Sequence, residues 1–299
     1  MNVVARTLPV LAIGLLVAAC GGGNGGGGDG DFSAFTGKIA FQSDRDGNAE
    51  IYVVSAEGLF RLTDDPAFDS LPRWSPDGSR IAFISARDGN LDVYVMNADG
   101  SDQTRLTNNT GEDLVSDWSP DGSQILFYSS RDGDFEIYVM NADGSNQTRL
   151  IDDPGIRIGA TWSPDGSRIA FESERGGSVD IFVMKVDGSD LTNLTNAPAA
   201  VNGNAAWSPD GTRIAFNSRR DGNVEVYVMN DDGSGLIRLT NNPAEDAVPS
   251  WSPDGSQISF DSARDGDFEI YVMNADGSDV TKVTSDPGLD AFSNWSPVP

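Results

Sequence analysis

The chain has 299 residues, of which 38 % are hydrophobic, a share that supports a buried core and excludes an intrinsically disordered protein. It carries 46 acidic and 20 basic residues, a net charge of −26, which argues against nucleic acids and anionic lipid surfaces as partners. There is no histidine and only one cysteine, which excludes Ser-His-Asp and Cys-His catalytic pairs, histidine-ligated metal centres and an internal disulfide.

The first twenty residues have the pattern of an export signal. Arg6 precedes an apolar run from Leu8 to Ala19, which is too short to span a bilayer. Residues 17–20, Val-Ala-Ala-Cys, resemble the lipobox of bacterial lipoproteins, and the resemblance implies that Cys20 is acylated and becomes the first residue of the mature protein. We therefore predict a lipoprotein signal peptide at residues 1–20; the alternative is an ordinary secretory peptide that ends at a lone cysteine.

A glycine-rich stretch follows, and we assign residues 21–36 to a flexible tether. In lipoprotein sorting, an Asp directly after the acylated cysteine resembles a signal for retention in the inner membrane, and Gly21 occupies that position here. The resemblance implies an exported protein that is lipid-anchored at the periplasmic face of the outer membrane or at the cell surface. We expect contact with the membrane only through the anchor.

Every tryptophan of the chain stands in a Trp-Ser-Pro sequence, and successive copies are 44 or 45 residues apart. The six are Trp74, Trp118, Trp162, Trp207, Trp251 and Trp295. A fixed period of this size indicates a solenoid, a propeller or another repeat array.

Each repeat predicts four short strands joined by tight turns. Ser-Pro-Asp-Gly at residues 75–78 favours a type I turn after the first strand. The runs at residues 80–83 and 92–96 are rich in β-branched and aromatic residues, and Asp-Gly pairs follow them at residues 88–89 and 99–100. A fourth short strand is predicted around Leu106. Four antiparallel strands every 44 residues are typical of a propeller blade.

The aromatic residues of the second and third strands each occur six times, which predicts an all-β, six-bladed β-propeller over residues 37–299. The first repeat, beginning at Gly37, has no Trp-Ser-Pro before it, whereas the last Trp-Ser-Pro is at residues 295–297. We predict that this last segment supplies the inner strand of the blade whose other strands come from residues 38–63. Such a 3+1 latch closes the ring and removes an exposed sheet edge at the seam. We expect a monomer.

The repeat, with its Trp-Ser-Pro-Asp-Gly, Ile-Ala-Phe, Arg-Asp-Gly, Ile-Tyr-Val-Met and Asn-Ala-Asp-Gly segments, resembles the propeller repeat of the TolB family, which is related in form to WD repeats. The resemblance covers residues 37–297. The family's namesake carries an N-terminal α/β domain, which we expect to be absent here because only six residues separate the glycine-rich stretch at residues 21–30 from Gly37. The resemblance implies an extracytoplasmic protein-interaction scaffold whose partners are envelope proteins.

Positions at which the six copies differ are candidates for a binding site. The residue five before each tryptophan lies where the chain enters the innermost strand, and we predict that these residues form a mostly acidic rim at the channel mouth, on the face of the Arg-Asp-Gly loops. They are Asp69, Asp113, Arg157, Asn202, Asp246 and Asp290. Such a rim suits a basic protein surface or, as an alternative function, a small ligand or cation. In the structural alternative, these acids cap backbone amides at loop ends.

The first Arg-Asp-Gly loop is a weak candidate for a calcium site, because oxygen ligands recur there at alternate positions. They are Asp44, Asp46, Asn48 and Glu50. The other copies replace Asp44 with Ala86, Ser130, Glu174, Arg219 and Ala263, so we predict no metal site and no cofactor. In the structural interpretation, each loop arginine pairs with the acid that opens the next strand, as Arg131 would with Glu136. The chain has no catalytic motif, and we expect no enzymatic activity.

Overall fold

The structure is a computed structural model that describes residues 35–151, 157–175, 177–197 and 200–297. The predicted signal peptide, the acylation site Cys20 and the tether up to residue 34 lie outside the described residues. Within these ranges, no helix is long and apolar enough to cross a membrane.

The described residues form 24 short strands in six sheets of four, and neighbouring strands in each sheet are antiparallel. Blade 1 consists of β1 (Lys38–Ser43), β2 (Glu50–Ser55), β3 (Gly58–Arg61) and β24 (Asp290–Trp295). Blade 2 consists of β4 (Asp69–Trp74), β5 (Arg80–Ser85), β6 (Asp92–Asn97) and β7 (Thr104–Arg105). Blade 3 consists of β8 (Asp113–Trp118), β9 (Gln124–Ser129), β10 (Glu136–Asn141) and β11 (Thr148–Arg149).

The other three blades repeat this order. Blade 4 consists of β12 (Arg157–Trp162), β13 (Arg168–Ser173), β14 (Asp180–Lys185) and β15 (Thr192–Asn193). Blade 5 consists of β16 (Asn202–Trp207), β17 (Arg213–Ser218), β18 (Glu225–Asn230) and β19 (Ile237–Arg238). Blade 6 consists of β20 (Asp246–Trp251), β21 (Gln257–Ser262), β22 (Glu269–Asn274) and β23 (Thr281–Lys282). The prediction of an all-β, six-bladed propeller is confirmed.

The innermost strands β4, β8, β12, β16, β20 and β24 contact one another in a closed cycle around the axis. The last strand, β24, pairs with β1, so blade 1 combines strands from both ends of the propeller. Next to this pair, the Ser296 N–H donates to the Lys38 carbonyl at 2.8 Å. The Trp295 ring also meets Phe35 edge-on, with the ring centres 5.9 Å apart.

The Ser-Pro-Asp-Gly turns join each inner strand to the second strand of its blade. In blade 2, the Gly78 N–H donates to the Ser75 carbonyl at 2.8 Å, and Gly78 has a φ of 67°, which glycine adopts without strain. Asp77 accepts hydrogen bonds from the Ser75 hydroxyl and from the Ser79 N–H and hydroxyl. These bonds lower the pKa of Asp77 to about 2. Because successive strands of a blade run in opposite directions, the Ser-Pro-Asp-Gly and Asn-Ala-Asp-Gly turns lie on one face of the propeller and the Arg-Asp-Gly loops lie on the other.

The core lies between blades. In one cluster, Ala40, Ile51 and Val53 of blade 1 pack against blade 2, where Trp74 and Phe83 lie in the same cluster. The same strand positions form the clusters between other neighbouring blades. Both faces of each blade are therefore covered, which explains the nearly continuous apolar sequence of the second and third strands.

Five inner strands contain an irregularity at a residue with positive φ. These residues are Leu71, Gly159, Asn204, Val248 and Phe292, with φ from 52° to 61°. In three cases, a side chain of the preceding blade accepts a hydrogen bond from the N–H of this residue. The pairs are Asn204 with Glu172 at 2.6 Å, Val248 with Asn217 at 3.5 Å and Phe292 with Asp261 at 2.7 Å.

Strand β8 differs from the other inner strands. Its register shift lies later, between Val115 and Asp117, and Val115 is not among the residues with positive φ. The corresponding side chain of the preceding blade is Ile84, which cannot accept a hydrogen bond. We infer that the acceptor from the preceding blade helps to determine the local path of β16, β20 and β24.

Candidate functional site

The residues that the sequence predicts as an acidic rim each begin an inner strand, and each is at most 2 % exposed. They are Asp69, Asp113, Arg157, Asn202, Asp246 and Asp290. A partner or ligand at the channel mouth cannot reach side chains that are this deeply buried.

Arginines of the Arg-Asp-Gly loops account for this burial in four blades. In blade 3, Arg131 turns inward, and its Nη2 lies 3.0 Å from an Asp113 carboxylate oxygen. Its guanidinium carbon also lies 5.2 Å from the ring centre of Phe127 and 4.8 Å from that of Tyr138. The carboxylate neutralises the guanidinium while the two rings cover it.

The same pair recurs in blades 1, 2 and 6. The pairs are Arg45 with Asp290 at 2.8 Å, Arg87 with Asp69 at 2.8 Å and Arg264 with Asp246 at 3.1 Å. Burial raises the pKa of Asp69 to about 6 and is the largest influence on it, whereas Arg87 acts in the opposite direction. The predicted pairing of Arg131 with Glu136 is wrong, because the arginine reaches back to the inner strand of its own blade.

The acids that open the third strands form a second set of buried contacts. Except in blade 3, each accepts a hydrogen bond from the hydroxyl of a threonine that follows the fourth strand. The pairs are Glu50 with Thr63, Asp92 with Thr107, Asp180 with Thr195, Glu225 with Thr240 and Glu269 with Thr284, at 2.5 to 3.0 Å.

Blade 3 has Ile151 in place of this threonine. There Glu136 lies 2.9 Å from Arg149 Nη2 and 3.0 Å from Nη1 of Arg157, which belongs to blade 4. Arg157 is thus a local replacement for the missing hydroxyl. In blade 5, Asn202 takes the position of the acid, accepts a hydrogen bond from Arg220 at 3.0 Å and donates to Asp180 at 3.1 Å.

The side chains of the weak calcium candidate form hydrogen bonds with protein groups. Asp44 accepts from the Leu289 N–H at 2.7 Å, and Asp46 accepts from the Tyr52 hydroxyl. Asn48 donates to Glu50 at 2.9 Å, and Glu50 also accepts from Arg61 at 3.0 Å. Arg61 also lies 3.5 Å from Asp46, so an arginine lies beside two of these carboxylates, while Asp44 bonds a different segment.

A different group of three acids, on the described part of the chain, brings its oxygen atoms within 4.8 Å of one another. The group is Glu269, Asp286 and Asp290. Arg45 Nη2 lies 2.6 Å from Asp286 and 2.8 Å from Asp290, while Lys282 Nζ lies 3.1 Å from Glu269. The two cationic side chains supply positive charge to this cluster.

A polar pocket of about 100 Å³ lies on the propeller axis, at a place that the sequence does not predict. All six residues that directly precede the repeat tryptophans line it: Arg73, Asp117, Thr161, Ala206, Ser250 and Asn294. Each is the penultimate residue of its inner strand, so the ring lies towards the Ser-Pro-Asp-Gly face. Alignment of the six copies on tryptophan already reveals that this position carries six different residues.

The aspartates of the Arg-Asp-Gly loops are the exposed acids that recur on this face, where Asp64, Glu112 and Asp134 are exposed as well. We name as the acidic belt Asp46, Asp88, Asp132, Asp221 and Asp265, all exposed. Each accepts a hydrogen bond from a tyrosine hydroxyl of its own blade. In blade 3, burial and the hydrogen bond from Tyr138 to Asp132 raise the pKa of Tyr138 to about 12.

The model of the TolB beta propeller domain matches residues 108–200 and 194–298, well over half of the chain. The chain belongs to the TolB beta propeller family. The model of the Tricorn protease N-terminal beta propeller domain also matches, over residues 56–136.

Solved structures with this fold include TolB from Acinetobacter baumannii, which has a TM-score of 0.77 and 26 % identity over 89 % of this chain and 67 % of that chain. Putative TolB from Agrobacterium tumefaciens has a TM-score of 0.69 and 22 % identity over 87 % and 98 % of the two chains. Hydrazine synthase from Kuenenia stuttgartiensis has a TM-score of 0.72 and 18 % identity over 89 % and 48 % of the chains. No curated protein sequence matches.

Proposed function

We propose that the protein is a lipid-anchored, extracytoplasmic propeller that acts as a non-catalytic scaffold for a basic envelope protein. The acidic belt is the observation that carries this proposal, because it places five reachable carboxylates around one face of a TolB-type propeller. Complementary charge on a partner would accelerate encounter and select against acidic competitors.

The other acids on this face support the choice of the belt. The six rim residues and the third-strand acids are buried, and the groups that they contact belong to the same or a neighbouring blade. Among the acids that the repeat places at matching positions on this face, the belt is therefore the set that a partner can reach, and Asp64 and Glu112 add exposed carboxylates in single blades. The five positions of the belt are spaced by the repeat, which favours a partner that contacts several blades together.

A pull-down from envelope extracts would test the belt. We expect a variant with Asp46, Asp88, Asp132, Asp221 and Asp265 all changed to Asn to recover much less of the partner than the wild type does. Asparagine retains an oxygen that can accept the tyrosine hydroxyl, so the substitution removes charge while keeping that hydrogen bond.

A matched control carries five changes of Asp to Asn on the opposite face, at Asp99, Asp143, Asp187, Asp232 and Asp276. These exposed acids accept hydrogen bonds from the serines two residues later. The control changes the net charge by the same amount and is expected to recover the partner normally. Equal recovery by the two variants would reject the belt as the contact face.

The anchor is a separate part of the proposal. The Cys20→Ser protein is expected to lack the acyl group and to partition into the soluble fraction, whereas the wild type partitions with membranes. Mass spectrometry of the mature N-terminus measures acylation directly. An unmodified N-terminus in the wild type would remove the anchor from the proposal without affecting the contact face.

A further inference from the structure

We propose that the axial pocket binds a small carboxylate, which Arg73, Asn294 and Ser250 recognise. All three residues line the pocket. They belong to blades 2, 1 and 6, whose inner strands β4, β24 and β20 are consecutive around the axis. They therefore form one arc of the pocket wall. This site is distinct from the acidic belt and does not depend on the proposed scaffold function.

Arg73 supplies the positive charge of the arc. Its Nε donates to the Ser116 carbonyl and its Nη1 to the Pro72 carbonyl, both at 2.9 Å. Within the described ranges, Arg73 forms no ion pair and Nη2 donates no hydrogen bond. Burial lowers the pKa of Arg73, and the nearby Asp117 and Asp261 act in the opposite direction. The two carbonyls hold the guanidinium in place, and neither acid forms an ion pair with it, which leaves Nη2 for an anion.

Asn294 and Ser250 contribute further donors. Asn294 accepts from the Trp74 N–H at 2.9 Å through its oxygen, and Ser250 accepts from the Trp295 N–H at 3.3 Å through its hydroxyl oxygen. These contacts orient both side chains from the next blade. On the described part of the chain, neither the Asn294 amide group nor the Ser250 hydroxyl donates a hydrogen bond. The arc thus presents a guanidinium, an amide and a hydroxyl as donors.

The acid of the pocket wall, Asp117, is already bound by donors. One of its oxygens accepts from the Trp118 N–H at 2.8 Å, and the other accepts from the Thr161 hydroxyl at 2.8 Å and the Trp162 N–H at 2.9 Å. These three bonds stabilise the carboxylate on its own side of the ring. The donors without partners lie together on the arc, and a planar carboxylate matches the fork of a guanidinium.

The pocket volume limits the size of the ligand. About 100 Å³ accommodates a short carboxylate but not a large polyanion. Arg73 is the only basic residue that the described part of the chain places on the pocket wall, which favours a monoanion. We therefore assign the pocket to small organic monocarboxylates and use acetate as the probe.

Thermal unfolding and isothermal titration calorimetry of the full-length protein test this assignment. Sodium acetate is expected to raise Tm in a saturable manner, because a ligand that binds only the folded state stabilises it. Acetamide, the neutral analogue of the same size, and sodium chloride at equal ionic strength are expected to give no saturable shift.

Asn294→Asp is the decisive variant. Aspartate retains the acceptor for the Trp74 N–H but replaces two donors with a negative charge, and we expect acetate affinity to fall by at least about tenfold. Arg73→Gln removes the guanidinium and is expected to abolish binding. Asn108→Asp adds the same charge at an exposed loop position outside the pocket, and should bind acetate as the wild type does.

Two results would overturn the proposal. One is a wild type without saturable acetate binding up to about 100 mM, which is weaker than a specific charge-assisted site requires. The other is a folded Asn294→Asp protein that binds acetate as tightly as Asn108→Asp does.

Discussion

Glu172 and Asp261 are buried carboxylic acids that accept hydrogen bonds from inner strands. Glu172 is 2 % exposed and accepts from the Asn204 N–H at 2.6 Å, while a Cβ at Gly159 would lie 2.6 Å from its Oε1. Burial raises the pKa of both acids to about 7, and hydrogen bonds, joined at Asp261 by the charge of Arg73, act in the opposite direction. Both acids therefore change charge near neutral pH inside the folded protein.

We predict that Glu172→Gln stabilises the protein at pH 8 and has little effect at pH 4. The folded state retains the Glu172 proton up to about pH 7, whereas the unfolded chain loses it near the ordinary glutamate pKa of 4.5. The stability that this group contributes is thus present below pH 4.5 and is lost as the pH rises through 7. The shift corresponds to about 3 kcal/mol at pH 8.

Thermal unfolding of wild type and Glu172→Gln from pH 4 to pH 9 measures this effect. The control is Asp64→Asn, since the Asp64 side chain is 89 % exposed. A Glu172→Gln protein whose difference from the wild type does not change with pH would contradict the assignment.

Residue identities alone do not reveal this behaviour. Glu172 follows Phe171 on a strand where the other copies carry Gln42, Ile84, Tyr128, Asn217 and Asp261, so the sequence marks the position as variable. Its role depends on the bulge in the inner strand of the next blade. Val248 has a φ of 52°, a conformation that β-branched residues rarely adopt and that no sequence propensity predicts.

At the scale of one blade, the ion pair between inner strand and loop arginine explains why Arg-Asp-Gly recurs. We predict that Arg264→Gln lowers the free energy of unfolding by about 3 kcal/mol, because it leaves the buried Asp246 carboxylate without its cation. Chemical denaturation measures the loss.

The matched second change is Asp246→Asn, which gives blade 6 the residue that blade 5 has naturally at Asn202. In a double-mutant cycle, the combined variant should be more stable than the sum of the two single losses implies. Additive losses would mean that the two side chains do not interact appreciably in the folded protein.

A second element-scale prediction concerns the junction of blades 3 and 4. Arg157→Asp alone should destabilise the protein, because it places a second acid beside Glu136 without a threonine between them. Ile151→Thr supplies the hydroxyl found in the other blades, so the double variant should recover part of the loss. We expect a favourable coupling of about 1 kcal/mol or more by chemical denaturation. A double variant no more stable than Arg157→Asp would contradict this account.

The strands were predictable because tight turns and apolar runs recur at the same spacing in every repeat, so the pattern of one copy confirms the strand assignment in the others. The rim was not predictable, because the direction of a loop arginine depends on the aromatic pair beneath it. The sequence contains Arg131, Phe127 and Tyr138, but only the folded blade brings the guanidinium over both rings. That contact buries Asp113, whereas the belt residue of the same blade, Asp132, is exposed.

At the scale of the whole molecule, the ring closes through non-covalent contacts of β24. We predict that truncation after residue 287 lowers the free energy of unfolding by more than about 5 kcal/mol, since it exposes the partners of Phe292 and Trp295. Thermal unfolding and size-exclusion chromatography test this. Deletion of residues 298–299 alone retains β24 and serves as the control. A truncated protein that remained monomeric and equally stable would contradict this role of β24.

The number of blades was predictable from the sequence because six aromatic residues recur at each of two positions. The axial pocket was not, because its wall combines one residue from each of six distant repeats. Whether Arg73 meets an acid or a backbone carbonyl depends on the exact path of the neighbouring strand β8.

The short distance between the two ends of the propeller bears on how its chain could be reconnected. Because the Ser296 N–H lies 2.8 Å from the Lys38 carbonyl, a short linker could join these ends. New N- and C-termini could then be placed in any Ser-Pro-Asp-Gly turn. Such a circular permutant would contain blade 1 as one continuous segment and would divide another blade instead. Packing therefore determines the order of the blades around the axis but does not determine the blade at which the chain starts.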